Sequence, residues 1–189
     1  MQSNQKKLAV FVSGTGTLLE SFLNEGLNVD IVLADRPCRG IDIAKERNVP
    51  IELVLRTDFS KNFDRAAYTE LVLKTLQSHE ISVVAMAGFN TVLGPSIFET
   101  YGGRILNTHP ALLPSFKGHY AVRDALAYGV KVTGCTVHIA TPEIDVGEIL
   151  AQQAVPVLSG DTEESLHERI KKVERTLYLE TIRSFMATV

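Results

Sequence analysis

Cysteine is scarce in this chain, with only two among 189 residues, Cys38 and Cys135. They lie far apart, without a spacing that would pair them or bind a metal. That excludes a disulfide-stapled secreted fold and leaves reduced thiols in a reducing, cytoplasmic setting as the expectation. Long apolar runs are also missing, so no segment is expected to span a bilayer. The opening residues Met1 to Lys7 are polar and lack the apolar centre of a signal peptide. Excess charge of one sign is absent as well. Lys and Arg number 19 against 22 Asp and Glu, a net charge of −3. No global field therefore draws the chain to nucleic acid or to an anionic membrane. The five histidines, His79, His109, His119, His138 and His167, show no ligand spacing with cysteines or acids, so no metal is expected. What remains, 45% hydrophobic and 22% charged, is ordinary globular composition, and a chain of this length can bury a core without a staple.

Hydrophobic patterning sets out the elements. Leu8 to Val12 reads as a buried strand ended by Ser13-Gly14-Thr15-Gly16. Thr17 to Asn24 has helical spacing, with Gly26 as a cap. Further strands are expected at Val29–Ala34, Ile51–Leu55 and Ile81–Ala87, and a brief one at Arg104–Leu106. Helices are expected at Ile41–Arg47, at Phe63–Gln77, after Gly94-Pro95, and at Ala121–Tyr128. Two extended segments follow, Lys131–Ala140 and Ile149–Val157. A long amphipathic helix closes the chain over Thr162–Met186, with Asp161 or Thr162 as N-cap. Alternating strands and helices imply an α/β fold: a doubly wound, mostly parallel sheet with an antiparallel strand in the C-terminal half. In such sheets ligands sit beyond the carboxyl ends of the strands, where strand order reverses. Those ends are Ser13–Gly16, Asp35-Arg36, Gly88–Asn90 and Asn107–His109.

Two of these ends carry chemistry. Glycines in Ser13-Gly14-Thr15-Gly16-Thr17, between a strand and a helix, let the backbone turn sharply and present helix amides to a phosphate. No Gly-Lys-Ser/Thr follows, so the loop is not a P-loop. Leu19 stands where a dinucleotide fingerprint needs glycine. A mononucleotide phosphate fits better than a pyrophosphate, and a tight turn without ligand is the plainer alternative. At the other end, Asn107 and His109 lie two residues apart on extended chain and point to one side. The amide can donate and accept, and the imidazole can shuttle a proton near neutral pH. Asp145, in the loop Thr141–Gly147, could hydrogen-bond that imidazole. Taken singly, a His before a Pro can simply satisfy a loop, and an Asp between Pro and Gly a turn. Gly-x-Ser-x-Gly is absent, and Cys135 reads as core rather than as a nucleophile. His79 and His167 read as solvated helix positions.

The segments Val12–Thr17, Ala87-Gly88-Phe89, Leu106–Pro114, Gly134–His138 and Ile144–Ile149 resemble the glycinamide ribonucleotide formyltransferases, in the family's order and over nearly the whole chain. Asn107-Thr108-His109-Pro110-Ala111-Leu112-Leu113-Pro114 is highly specific to folate formyltransferases, and the glycine loop narrows the resemblance to the ribonucleotide branch. The resemblance implies transfer of a formyl group from 10-formyltetrahydrofolate, the cosubstrate, to the amine of glycinamide ribonucleotide. It implies Asn107, His109 and Asp145 as the catalytic trio. Gly16, Thr17 and Leu18 would hold the ribonucleotide phosphate through backbone amides, and Lys171 and Glu174 would contact the ribonucleotide. Arg65, Asn90, Thr91, Val92, Leu93 and Asn107 would contact the folate. It implies one domain over 1–189, with 1–100 mainly the phosphate-binding half and 101–189 mainly the catalytic and folate half. Without the resemblance, Lys171 and Glu174 read as a solvated i,i+3 pair, Arg65 as an exposed helix charge and Asn90 as a turn. The chain departs from the family at Thr17-Leu18, at Val146, and at Tyr120, where a histidine is usual and His119 stands one position earlier.

The expected partners are small molecules, with neither nucleic acid nor membrane, and a homodimer stays open beside a monomer. Two relatives of the same core chemistry are weighed against this reading. Formyltetrahydrofolate hydrolases usually carry an N-terminal regulatory domain, for which the residues before the first strand leave no room. Methionyl-tRNA formyltransferases usually carry a basic C-terminal domain. A non-catalytic nucleotide-binding module is the alternative of a different class.

Overall fold

The computed structural model describes residues 6–189. The polar start of the chain, apart from Lys6 and Lys7, lies outside the described residues. Among the described residues, seven strands and six helices follow in the order β1 (Leu8–Val12), α1 (Thr17–Asn24), β2 (Ile31–Ala34), α2 (Arg39–Glu46), β3 (Ile51–Leu53), α3 (Arg65–Ser78), β4 (Val83–Met86), α4 (Pro95–Tyr101), β5 (Ile105–His109), α5 (Ala121–Tyr128), β6 (Val132–Ile139), β7 (Ile149–Pro156) and α6 (Glu163–Thr188). They form one sheet in the order β3-β2-β1-β4-β5-β6-β7. β1 pairs in parallel with β2 and β4, and β2 with β3. β6 pairs antiparallel with both β5 and β7. The mostly parallel sheet with an antiparallel C-terminal part is thus as the sequence pattern predicts. No helix among the described residues is long and apolar enough to cross a membrane.

The chain forms two compact units, one up to Ile105 and the other from Leu106 to Val189. In the first, β1 and β2 are buried at every position. Such continuous Val/Ile/Leu runs are what strands covered on both faces require. In the second, Val122, Cys135, Val155, Leu166 and Ile170 form a core in which α5 and α6 cover β6 and β7. α6 begins with a capping box: Thr162 accepts from the Ser165 amide, and Ser165 returns a bond to the Thr162 amide. That settles the N-cap on Thr162.

Element ends differ where a local partner decides them. α3 begins at Arg65 rather than Phe63, because Asp64 is the N-cap and accepts from the Ala67 amide at 2.9 Å. α2 begins two residues earlier than its apolar pattern, after Cys38. β2 starts at Ile31, since Asp30 is turned to accept from the Leu8 amide at 2.7 Å. β5 extends through His109 instead of stopping at Leu106, because its antiparallel pairing with β6 runs from Leu106 opposite Ile139 to His109 opposite Thr136. Asn107 and His109 are therefore strand residues, not loop residues.

Candidate active site

In the second unit, three polar side chains meet on the β5–β6 surface. Asn107 lies directly opposite His138 in the antiparallel register, and His109 opposite Thr136. The loop after β6 returns Asp145 to this pair. Its backbone is left-handed, with φ +55°, an unusual setting that an Asp tolerates better than most residues. Nδ1 of His109 is 3.3 Å from Oδ2 of Asp145. Nε2 of His109 donates to the Phe116 carbonyl at 2.8 Å. Both ring nitrogens thus face oxygen atoms. The Gly118 amide donates to the same Asp145 oxygen at 2.8 Å. Gly118 has φ +93°, a backbone state that glycine adopts without strain. His109 and Asp145 are 4% and 8% exposed, so their interaction is little screened by solvent.

His138 completes the group. Its Nε2 is 3.3 Å from the Asn107 Nδ2 and 3.6 Å from the Asp145 Oδ1. Burial pushes its imidazole below the usual value. The Ile139 carbonyl and Asp145 pull it up without cancelling that effect, and His109 pushes it further down. Phe116, Gly118 and His138 are not singled out by residue type. His138 could have been found from strand alternation, which places Gly134, Thr136 and His138 on one face of β6.

The loop between His109 and α5 is held by side chains of β6 and β7. Thr136 donates to the Ala111 carbonyl at 2.6 Å and accepts from the Leu113 amide at 3.1 Å. Gln152 donates to the Leu113 carbonyl and to the Thr136 hydroxyl, each at 2.9 Å. On α6, Lys171 pairs with Glu168 at 2.8 Å, not with Glu174. Glu174 turns inward to Thr108, and burial raises its carboxyl above the usual range, against the Thr108 hydroxyl, Lys171 and Arg175. The solvated Lys171–Glu174 pair is corrected accordingly: both spacings are available on a helix, and the half-buried face takes the 174 side chain.

In the first unit the strand ends after β1 and β4 meet where the order reverses. The Ser13 amide donates to the Gly88 carbonyl at 3.2 Å, and the Ser13 hydroxyl accepts from the Asn90 amide at 2.9 Å. Gly16 is the N-cap of α1 with φ +69°, and no side chain caps that helix end. The amides of Thr17 and Leu18 therefore open the helix without a side-chain acceptor over them, which is the arrangement an anion can use. A Cβ on Gly16 would stand 2.7 Å from the Gly40 Cα, so packing on α2 also demands glycine here. The Leu18 side chain is buried and only its backbone faces the loop chemistry.

Around the segment 90–93 the side chains divide. Asn90 and Val92 are exposed, whereas Thr91 and Leu93 are buried. Thr91 donates to Asp35 at 2.6 Å, so its hydroxyl is engaged in the fold. Asp35 is fully buried, with both oxygens on Arg36 at 2.9 Å. Burial pushes its carboxyl up, but the hydrogen bonds from Arg36, Thr91 and Ser13 outweigh that and hold it below the usual range. Arg65 is exposed at the first position of α3. His79 is not simply solvated: it is 2.7 Å from Glu52. His167 is half-buried, and burial lowers its imidazole.

Residues 6–182 match the model of the formyl transferase family. The phosphoribosylglycinamide formyltransferase of Mycobacterium tuberculosis (strain ATCC 25618 / H37Rv) is 48% identical over 181 residues, covering 93% of this chain and 83% of that protein. The enzyme of the same name from Bacillus subtilis (strain 168) is 33% identical over 188 residues, covering 96% and 95%. The crystal structure of glycinamide ribonucleotide transformylase 1 from Symbiobacterium toebii aligns with a TM-score of 0.89 at 38% identity, over 98% of this chain and 90% of that one.

Proposed function

The chain belongs to the formyl transferase family, and on that premise we propose that it is a phosphoribosylglycinamide formyltransferase working by direct acyl transfer. It moves the formyl group of 10-formyltetrahydrofolate to the amine of glycinamide ribonucleotide, in purine biosynthesis. The observation that carries the chemical reading is the buried His109–Asp145 pair at 3.3 Å, with Asn107 on the same face of β5.

The substrate amine attacks the formyl carbon, and the carbonyl electron pair moves onto oxygen. Asn107 and the charged ring of His109 stabilise that oxyanion. A single such donor is worth roughly 3 kcal/mol in other acyl-transfer sites. An oxyanion arriving at His109 Nε2 takes the place of the Phe116 carbonyl that now accepts from it. Asp145 orients the ring and keeps the positive charge matched. The amine then loses its proton, the bond from carbon to the folate N10 breaks, and N10 takes up a proton. Asp145 relays that proton through water. The products are N-formylglycinamide ribonucleotide and tetrahydrofolate. Positioning of the two substrates accounts for much of the remainder.

Gly16, Thr17 and Leu18 bind the ribonucleotide phosphate through amides, with Lys171 and Glu174 as further ribonucleotide contacts. Arg65, Asn90, Val92 and Asn107 contact the folate, while Thr91 and Leu93 shape that segment from beneath. The enzyme acts as one domain on small molecules in the reducing cytoplasm. A spectrophotometric assay of folate product, with and without glycinamide ribonucleotide, tests the reading. Product formation that depends on the ribonucleotide supports transfer. An equal rate without it would make the protein a hydrolase.

A further inference from the structure

We propose that His138 is a positioning residue for the formyl transfer inferred above: by accepting from Asn107 through Nε2, it fixes which edge of the Asn107 amide faces the reacting carbonyl. The argument starts at the other ring nitrogen. Nδ1 of His138 is 3.0 Å from the Ile139 carbonyl, an oxygen that can only accept, so Nδ1 carries a hydrogen. The ring is 2% exposed, and its burial disfavours the charged form. A neutral ring with hydrogen on Nδ1 presents a lone pair at Nε2. The group across the ladder at 3.3 Å must therefore be the amide nitrogen of Asn107, not its oxygen.

An amide is planar, so this one bond settles both ends. One Nδ2 hydrogen goes to His138, and the second remains as the donor for the developing oxyanion. If the amide turned over, Oδ1 would stand in that place and repel the negative charge. The charged groups facing His138 are Asp145, at 3.6 Å from Nε2, and His109 of β5. A proton on Nε2 would bond to Asp145, compete with His109 for that carboxylate, and leave Asn107 without its acceptor.

Two measurements test this. The first needs no turnover. ¹⁵N spectra of histidine-labelled protein at neutral pH should show His138 neutral with Nε2 unprotonated, and Asn107→Ala should shift that Nε2 resonance. A protonated Nε2 in the wild type overturns the proposal. The second is a double-mutant cycle. His138→Leu removes the acceptor and should lower kcat by roughly 10- to 100-fold, part of what losing a whole oxyanion donor costs, with both KM values within about threefold. His138→Gln offers an oxygen as acceptor and should recover most of the turnover. In the Asn107→Ala background, His138→Leu should cost less than about threefold, because the group it acts through is gone. An equal fold-loss in both backgrounds, or none in the wild type, overturns it. Ribonucleotide-dependent turnover by the wild-type enzyme is read in the same assay, so failure of the parent reading is distinguishable.

Discussion

Asp145 reaches His109 from a backbone held in the left-handed region, its Oδ2 3.3 Å from the ring Nδ1 while the Gly118 amide bonds the same oxygen at 2.8 Å. One carboxylate oxygen is thus shared between the His109 ring and the loop that follows His109 in the chain. An amide at position 145 would keep an acceptor of that shape and remove only the charge.

Replacing that charge is therefore the sharpest test of the site. Asp145→Asn should lower kcat by about 100- to 10,000-fold, the usual scale of acid–base contributions, with the protein still folded. His109→Ala should be almost inactive. Steady-state kinetics read both, and near-normal turnover in either variant would remove that residue from the mechanism.

Gly16 and Gly26 separate strain from packing. Both have positive φ, +69° and +73°, but a Cβ on Gly16 meets the Gly40 Cα at 2.7 Å and one on Gly26 meets nothing within 4 Å. Gly26→Ala should cost about 1 kcal/mol of stability from backbone strain alone. Gly16→Ala should cost more, up to about 3 kcal/mol, and should raise KM for the ribonucleotide. At this chain length each kcal/mol is worth roughly 2–4 °C in Tm, which calorimetry resolves. Equal Tm values for the two variants would refute the packing argument.

The two cysteines should differ in reactivity. Burial pushes the Cys135 thiol up to about 12, against its contact with the Thr108 hydroxyl, while Cys38 is half-buried. Thiolate is the reactive form. Native protein should take up one equivalent of iodoacetamide, at Cys38, and unfolded protein two. Mass spectrometry that finds Cys135 alkylated first in the native state would contradict the burial described here.

Stability should fall on acidification. His138 and His167 both sit below the usual imidazole value of 6.5 in the folded chain, chiefly through burial. The unfolded chain then takes up protons first as pH falls through 6.5, so stability is full above that value and is lost below it, towards the lower folded values. Each group contributes a slope of at most about 1.4 kcal/mol per pH unit. Tm against pH should show this decline in the wild type and a shallower one in His138→Gln. Parallel curves would assign the decline elsewhere.

Much of the candidate site is legible in the sequence. Glycines between a strand and a helix, and Asn-Thr-His-Pro at a strand end, mark chemistry because those residue types have few structural reasons to gather there. Element types followed from periodicity, and their ends were less legible. β5 runs on through Asn107 and His109 because β6 lies beside it, a fact no local pattern contains. The same holds for Thr91, whose hydroxyl is taken by Asp35 from another strand end, and for Lys171, which chooses Glu168 over Glu174.

The sequence by itself determined the α/β alternation, and the family resemblance it carries nominated Asn107, His109 and Asp145 as the proposed trio, since periodicity and motif are local properties. Only the tertiary structure decided that Asp145 stands within ion-pair distance of His109, that Phe116 and Gly118 hold the pair through backbone groups, and that His138 faces Asn107. Those relations join positions up to 36 residues apart in the chain. They follow from antiparallel register and a left-handed loop residue, and neither leaves a mark in the composition of the segments it joins.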